Sequence, residues 1–163
     1  RYRQQLMQVG PAPAPADVAE AFGLSAGATL LVRRHLVRTT DAPVEVGASW
    51  FRPGDVAGTS IERAEVFGRP LYQEVEDETR RRYVSARDQI TARLPSREEA
   101  ELLQIRPDTP VLVLMHVATD ADGRVIEVAQ ATWPGPVTSL TEEYRIPAPR
   151  PGLPDDEPGA ALG

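Results

Sequence analysis

The sequence predicts an α+β domain in which an antiparallel sheet carries helices packed on one side. Three observations lead to this fold class. Runs rich in Val, Leu, Ile and Thr recur along the chain, segments with helical spacing of apolar residues alternate with them, and tight turns join the strand-like runs in pairs. The main order is strand, strand, helix, strand, helix, strand, strand, and successive hairpins favour an antiparallel sheet.

Composition limits the size and class of the protein. The chain has 163 residues, of which 41% are hydrophobic, enough for one sizeable core. Cysteine is absent, so neither disulfides nor thiolate metal sites can form. No apolar run approaches the roughly 20 residues of a membrane helix. The net charge of -6 argues against a basic surface for nucleic acid, so this chain alone should bind DNA poorly.

The first third of the chain contains a proline-rich segment, a short helix and a hairpin. Residues 1–12 are predicted to be a linker, because repeated Pro disfavours regular structure. A short helix follows, with Asp17 as its expected N-cap and Gly23 at its C-terminal end. Ala28–Thr39 and Val44–Phe51 are then predicted strands, since they are rich in β-formers and flank a turn.

The rest of the domain alternates helices and strands up to a second hairpin. A loop reaches about residue 69, a helix is predicted over 71–79 and a strand over 84–94. Ser96 and Glu99 have the spacing of a capping box, which predicts the start of the next helix. The sequence Asp120-Ala121-Asp122-Gly123 predicts a turn between strands 111–118 and 125–133. Residues 147–163, rich in Pro and acidic groups, are expected to be a disordered tail.

Several of these segments together resemble a known family. They are Ala16-Asp17-Val18-Ala19-Glu20, Val32-Arg33-Arg34-His35, Ser49-Trp50-Phe51, Ile90-Thr91-Ala92-Arg93-Leu94-Pro95, Glu98-Glu99-Ala100, Pro110-Val111-Leu112 and Asp122-Gly123-Arg124-Val125-Ile126-Glu127. In order and spacing they resemble the UTRA domain, the effector-binding module of the HutC branch of GntR-family repressors, over residues 13–146.

The resemblance implies a fold, a function and partners. The fold would be chorismate-lyase-like, with a small-molecule effector in a cleft on the sheet. Effector binding would release operator DNA, which a winged-helix domain preceding Arg1 would hold. We therefore expect a cytoplasmic, homodimeric regulator that contacts DNA only through that other domain, needs no cofactor and does not associate with membranes.

Arg33 and His35 are the first predicted effector contacts. Alternation places Arg33, His35 and Val37 on one face of their strand. In relatives that bind phosphosugars, the positions of His35 and Val37 tend to be Arg and hold the phosphate. Since His offers fewer donors than an Arg pair, the change favours a metabolite or antibiotic-like effector over a phosphosugar. The alternative for Arg33 is a solvated arginine on a hairpin.

Glu45, Ser49 and Tyr72 extend the predicted site. The family often has an acidic residue at the position of Gly47, and Glu45 and Ser49, which share its face, are expected to substitute. Tyr72 matches an aromatic residue at a helix start that lines the effector cleft in relatives. The alternatives are an exposed carboxylate for Glu45 and ordinary core packing for Tyr72.

Glu127 is the central predicted site residue, because it matches the acidic position of the family's last hairpin. A buried carboxylate needs a partner, which would be either a ligand hydroxyl or amine, or an internal arginine such as Arg93. Trp133 is expected on the same strand face and replaces an aromatic that often contacts the effector. Two aromatics in the cleft would suit a flatter, more apolar ligand than a sugar phosphate.

Two other functions compete with this hypothesis. The fold is also that of an enzyme, chorismate lyase, but the sequence has no nucleophile elbow, phosphate-cradling loop or metal cluster. His116 lies in an apolar strand, where a single His is usually structural, and two His without Cys do not make a metal site. The other alternative is a domain that only dimerises, with an empty cleft. We expect no enzymatic activity.

Overall fold

A six-stranded antiparallel sheet forms the centre of the protein in a computed structural model that describes residues 1–147. The strands are β1 (Arg3–Pro13), β2 (Thr29–Arg38), β3 (Pro43–Phe51), β4 (Ser85–Arg93), β5 (Val111–Thr119) and β6 (Val125–Pro134). Their order across the sheet is β1-β2-β3-β6-β5-β4, and each neighbouring pair is antiparallel. The predicted α+β class with an antiparallel sheet is confirmed.

Strand β1 corrects the prediction of a linker over residues 1–12. This segment pairs with β2 from Arg3 to Pro13 and forms one edge of the sheet. Its prolines are tolerated because an edge strand has a neighbour on one side only, so a missing backbone N–H need not cost a ladder hydrogen bond. The folded domain therefore begins about ten residues earlier than the predicted boundary at residue 13.

The helices lie on both faces of the sheet, which corrects the expectation that they all pack on one side. They are α1 (Ala16–Ala21), α2 (Pro53–Val56), α3 (Leu71–Thr79) and α4 (Arg97–Leu103), with short 3-10 turns at Ser60–Glu62 and Gly135–Val137. We call the face that α1 and α4 cover the α1 face. The opposite face, which carries Arg33, Ser49 and Glu127, is called the cleft face.

Apolar packing on the α1 face forms two clusters. Val18 and Phe22 of α1 pack on Val32, Trp50 and Val128 of the central strands. A separate cluster beneath α4 contains Leu36, Val46, Leu103 and Val111. Burial of these side chains is the main force that holds both helices on the sheet.

Packing on the cleft face is confined to one end of the sheet. There, Phe51 and Ile126 pack beneath Val56 of α2, Ile61 and Val75 of α3. These five side chains are essentially shielded from solvent. The cluster anchors α2, α3 and the loop between them over part of the face, and the remainder is left for the cavities described below.

Local sequence signals succeeded at three helix and turn boundaries and failed at one. The capping box is confirmed, because Ser96 Oγ accepts from Glu99 N and Glu99 Oε2 accepts from Ser96 N. Gly23 has φ +72°, as its position after α1 requires. The turn is confirmed too, with Asp120 N donating to Arg124 O. Asp17 is not the N-cap, since α1 begins at Ala16 after Pro15.

Two expectations concern the chain as a whole. Within residues 1–147, every helix is too short or too polar to cross a bilayer. The predicted disorder of the tail falls on residues 147–163, and apart from residue 147 these lie outside the described residues.

Candidate functional site

The register of the sheet gathers the predicted polar residues on the cleft face. Arg33 of β2 pairs with Ser49 of β3, and the pairing continues through β6 to His116 of β5. Glu127 lies on the same face of β6, two residues along that strand. Four side chains with hydrogen-bonding capacity therefore lie on the central strands beside α3, although they come from distant parts of the sequence.

A cavity of about 450 Å³ lies between the cleft face and the start of α3. Its walls combine apolar and aromatic groups with a few polar ones: Leu71, Tyr72, Tyr83, Val84, Ser85, Ala86, His116, Ala118 and Glu127. We call it the Glu127 cavity. A mostly apolar concavity with few polar groups is typical of small-molecule sites.

Glu127 is the buried polar group of this cavity. Its residue is 7% exposed, and Oε2 accepts a 2.7 Å hydrogen bond from the Tyr83 hydroxyl. Ser49 is a second hydrogen-bonding neighbour, and His116 stabilises the charge electrostatically. Burial nevertheless dominates and raises the pKa of Glu127 above its ordinary value. Burial, and then the charge of Glu127, also raise the pKa of Tyr83.

His116 belongs to the cavity as well as to the sheet. Its Nδ1 lies 2.5 Å from Oδ1 of Asp88, the residue directly opposite on β4, and its ring lines the Glu127 cavity. The Asp88 carboxylate fixes the orientation of the imidazole. His116 is therefore hydrogen-bonded, as the sequence predicted for a structural His, and its ring also forms part of the cavity wall.

Arg33 is buried and its guanidinium is engaged with the protein itself. Nη1 donates to the carbonyls of Ile61 and Arg63 at 2.7 Å, and Nη2 donates to that of Glu65 at 2.5 Å. The guanidinium carbon also lies 4.7 Å from the centre of the Phe67 ring. Desolvation by burial lowers the pKa of Arg33. Arg33 therefore ties the loop between α2 and α3 to the sheet.

His35 and Glu45 form a second polar group beside a smaller cavity. His35 lines a space of about 190 Å³ that shares Leu71 with the Glu127 cavity. Its Nε2 lies 2.9 Å from Glu45 Oε1, and Glu45 Oε2 accepts a 2.7 Å hydrogen bond from Trp133 Nε1. Both oxygens of Glu45 thus have protein partners, and the two hydrogen bonds outweigh its desolvation and lower its pKa.

A family model describes the same stretch of chain. The model of the UTRA domain matches residues 1–137, which include all six strands and four helices. The chain belongs to the UTRA domain family. The match starts before β1, in agreement with the finding that the proline-rich segment is part of the fold.

Known proteins similar to this UTRA domain are transcription regulators. An uncharacterised HTH-type transcriptional regulator of Streptomyces coelicolor is 32% identical over 158 residues, which are 90% of this chain and 55% of the relative. The chain spans about half the length of that curated relative. The description as a transcriptional regulator belongs to that relative, and the family membership of this chain rests on the UTRA match.

Solved structures confirm the fold. The ligand-binding domain assigned to a GntR-family regulator of Bordetella bronchiseptica has a TM-score of 0.74 at 23% identity and covers 88% of this chain and 92% of that one. The effector domain of PhnF from Mycobacterium smegmatis has a TM-score of 0.74 at 20% identity, with coverage of 90% and 88%. At these identities the likeness shows the architecture.

Gly47 and His35 are structurally linked, because they face each other across strands β2 and β3. A Cβ added to Gly47 would lie 2.2 Å from His35 Nε2 and 2.4 Å from His35 Cε1. The imidazole therefore occupies the space that a side chain at position 47 would fill. A glycine at 47 thus makes room for the His35 ring, and Glu45 is the carboxylate that bonds this ring.

Of the eight predicted residues, Glu127 and Tyr72 line the Glu127 cavity, Arg33, His35 and Ser49 line the smaller one, and Glu45, Arg93 and Trp133 line neither. Arg93 points to the α1 face, where it bonds Glu99, so the predicted Arg93 to Glu127 contact is wrong. Trp133 shares the strand face of Glu127 as predicted but lines a different cavity, beside Glu45. The aromatics near Glu127 are Tyr72, as predicted, and Tyr83.

Tyr83 and Asp88 are site residues that sequence reasoning missed. Tyr83 lies 44 positions before Glu127, in the segment between α3 and β4, so no local pattern links the two. Asp88 and His116 are in contact because β4 and β5 pair. Aligning the two predicted strands as antiparallel neighbours could have suggested this cross-strand pair.

Proposed function

We propose that this UTRA domain is the effector sensor of a bacterial repressor of the HutC branch of the GntR family. A small molecule binds in the Glu127 cavity, and its binding releases operator DNA. A winged-helix domain elsewhere in the full-length regulator binds that DNA. The full-length regulator acts as a homodimer in the cytoplasm. The relative's length, nearly twice the span of this match, is compatible with such an additional domain.

The observation that carries the proposal is the buried carboxylate in an apolar concavity. A folding core would gain nothing from Glu127, because burying a carboxylate without a cation costs free energy. A binding site gains orientation and specificity from the same group. The retention of Glu127 together with about 450 Å³ of adjoining space thus supports a ligand.

The proposed contacts are a subset of the predicted set. Glu127 and Tyr72 line the main cavity, whereas His35 and Ser49 line the adjoining one. Arg33 is assigned to holding the loop, since its donors meet three carbonyls. Glu45 bonds His35 and is itself bonded by Trp133, so these two residues position the imidazole. Arg93 is not a proposed contact, because it lies on the other face of the sheet.

The same geometry favours a metabolite or antibiotic-like effector over a phosphosugar. A phosphate would need donors free to form bidentate bonds. Arg33 donates to carbonyls, and Arg69, which also borders the smaller cavity, donates to Glu74 and Asp77. The arginines nearest the cleft are therefore engaged with the protein.

The proposed dimer has one feature in its support. Strand β4 forms the second edge of the sheet, and every residue from Ser85 to Arg93 is exposed. An open edge can pair with another strand. Dimerisation through β4 without any effector is the second candidate function, and the ligand experiments below separate it from sensing.

A thermal-shift screen followed by calorimetry tests the proposed sensor. The panel comprises sugar phosphates, amino-acid catabolites, aromatic acids and amines. We expect at least one class to raise the Tm in a saturable manner, because a ligand of the native state must stabilise it. Its affinity should fall at least 10-fold in Glu127→Gln and stay unchanged in Glu99→Gln, a matched carboxylate on the α1 face. A panel without any hit would favour the dimerisation-only function.

The coupling to DNA is tested in the full-length regulator by fluorescence anisotropy with operator DNA. The ligand should weaken DNA binding, and DNA should weaken ligand binding by the same factor, as linkage requires. Equal ligand affinity with and without operator would contradict the proposed release mechanism, even if the cavity binds the ligand.

A further inference from the structure

The Glu127 cavity contains a carboxylate without a cationic side-chain partner. The neighbours of Glu127 that influence its ionisation are the hydroxyls of Tyr83 and Ser49 and the imidazole of His116. None of the residues lining the cavity, all within the described range, is an arginine. Buried carboxylates elsewhere in proteins are normally paired with a cation, so this one leaves a position for a positive charge.

The histidine beside Glu127 does not supply that charge freely. His116 is bound through Nδ1 to Asp88, so any positive charge on its ring is already shared with a second carboxylate. Glu76 lies at the border of the cavity, because its Oε1 accepts from the backbone N–H of Tyr83, and its Oε2 lies 3.5 Å from Arg82 Nη1. The cavity and its border thus hold the carboxylates of Glu127, Asp88 and Glu76 against the imidazole of His116 and the guanidinium of Arg82, so negative charge is in excess.

The walls indicate the rest of the ligand. The Tyr72 and Tyr83 rings meet edge to face, with centroids 6.0 Å apart and an angle of 69° between their planes. Together with Leu71, Val84 and Ala118 they give the cavity an apolar body. Tyrosine rings also attract cations that are withdrawn from water. A ligand that fits must therefore combine an apolar portion with a positively charged group.

We propose that the effector of the Glu127 cavity is an organic amine whose ammonium group binds the Glu127 carboxylate while its apolar body lies against Tyr72 and Tyr83. This inference rests on the proposed sensor function and specifies its ligand class. An acid or a phosphate ester would meet the carboxylates without a free arginine to bind it. A neutral alcohol would satisfy one oxygen of Glu127 but leave its charge unpaired.

Ionisation supports the same ligand class. Burial raises the pKa of Glu127, which reflects the free-energy cost of holding its charge away from water. An ammonium group in contact with the carboxylate offsets that cost. A neutral ligand that only displaces water from the cavity would increase it.

The test uses a series of probes that share a phenyl-ethyl body and differ in the end group. The probes are 2-phenylethylamine, 2-phenylethanol, 3-phenylpropanoate and 2-phenylethyl phosphate, each measured by thermal shift and calorimetry on the complete chain. We expect the amine to raise the Tm and bind at least 10-fold more tightly than the alcohol. The acid and the phosphate should leave the Tm unchanged.

Two variants locate the binding and one controls for folding. Glu127→Gln keeps an acceptor for Tyr83 but removes the charge, so amine affinity should fall at least 30-fold. Ala86→Trp fills the cavity from the exposed strand β4 and should abolish binding without touching the buried core. Ala92→Trp places the same side chain on the same face of β4, outside the cavity, and should bind normally.

The outcomes separate this inference from the proposed function. If the acid or the phosphate binds and Ala86→Trp abolishes it, the cavity is a sensor but the amine class is wrong. The same holds if amine and alcohol bind equally and Glu127→Gln changes neither. If none of the four probes binds, the amine inference is overturned. The proposed function then fails as well only if the whole screening panel is also silent.

Discussion

The two faces of the sheet hold carboxylates in opposite situations. Each face has a cavity of similar size, about 430 Å³ on the α1 face and about 450 Å³ on the cleft face. On the α1 face, Glu99 accepts two hydrogen bonds from Arg93, at 2.7 and 2.8 Å, and others from Ser96 N and the Thr132 hydroxyl. On the cleft face, Glu127 lies among hydroxyls and one imidazole.

This difference appears in the ionisation of the two groups. The Arg93 guanidinium, ahead of the other contributions, lowers the pKa of Glu99 to about 2. For Glu127, burial is the largest influence and raises the pKa. A carboxylate whose acceptor positions are filled by the fold is structural, whereas one that the fold buries without a cation is available to a ligand. Under the proposed function, Glu99 therefore belongs to the scaffold and Glu127 to the binding site.

The largest expected effect comes from a fully partnered charge on the cleft face. Arg33→Met keeps much of the side-chain volume but removes the bonds to the carbonyls of Ile61, Arg63 and Glu65. We expect the free energy of unfolding to fall by roughly 2–4 kcal/mol, measured by urea denaturation. Arg97→Met, at an exposed residue of α4, is the control and should change stability by less than about 0.5 kcal/mol. Equal effects of the two variants would contradict the tethering role of Arg33.

A mid-sized effect is expected on the α1 face, where Glu99→Gln removes the charge that pairs with Arg93. Near neutral pH the variant should lose about 1–2 kcal/mol, a value limited by the partial exposure of Arg93. Because the folded-state pKa is depressed, the stabilisation is complete above the ordinary value of 4.5 and is lost as the pH falls towards about 2. Urea midpoints of both proteins at pH 7 and pH 3 check this, and a difference independent of pH would refute it.

The same contrast explains what the sequence could predict. Elements with local signals were found: α3, both hairpins, and the capping box that begins α4. Strand β1 was missed because repeated prolines normally argue against regular structure, and only its position at the sheet edge makes them acceptable. Edge position is a property of topology, which short-range patterns do not contain.

The candidate site residues show the same limit of short-range sequence patterns. Alternation within a strand correctly placed Arg33 with His35, and Glu127 with Trp133, on common faces. It could not say which partners each side chain meets, because those depend on contacts between distant segments. Arg93 was therefore expected as a possible partner of Glu127 but bonds Glu99 on the other face, and the hydroxyl of Tyr83, the direct partner of Glu127, was not anticipated.

The smallest and most discriminating effect is a gain of stability at the proposed binding residue. In Glu127→Gln, the amide oxygen still accepts from Tyr83, but the buried charge is gone. Because the folded-state pKa of Glu127 is raised, ionisation of this group destabilises the native state above that pKa. Below the ordinary value of 4.5 the group is protonated in both states, and this destabilisation is absent. The variant should therefore be more stable than the unsubstituted chain near pH 8, with a higher Tm, and this gain should vanish towards pH 4.

That sign is opposite to the one expected for Glu99→Gln, so thermal melts of both variants across pH 4 to 8 test the comparison directly. If Glu127→Gln instead destabilises the protein at pH 8, Glu127 is a structural group like Glu99. That result would contradict the proposal that the cavity beside it is a binding site. A gain in stability together with the loss of ligand affinity would show that the charge is retained for binding at the expense of the fold.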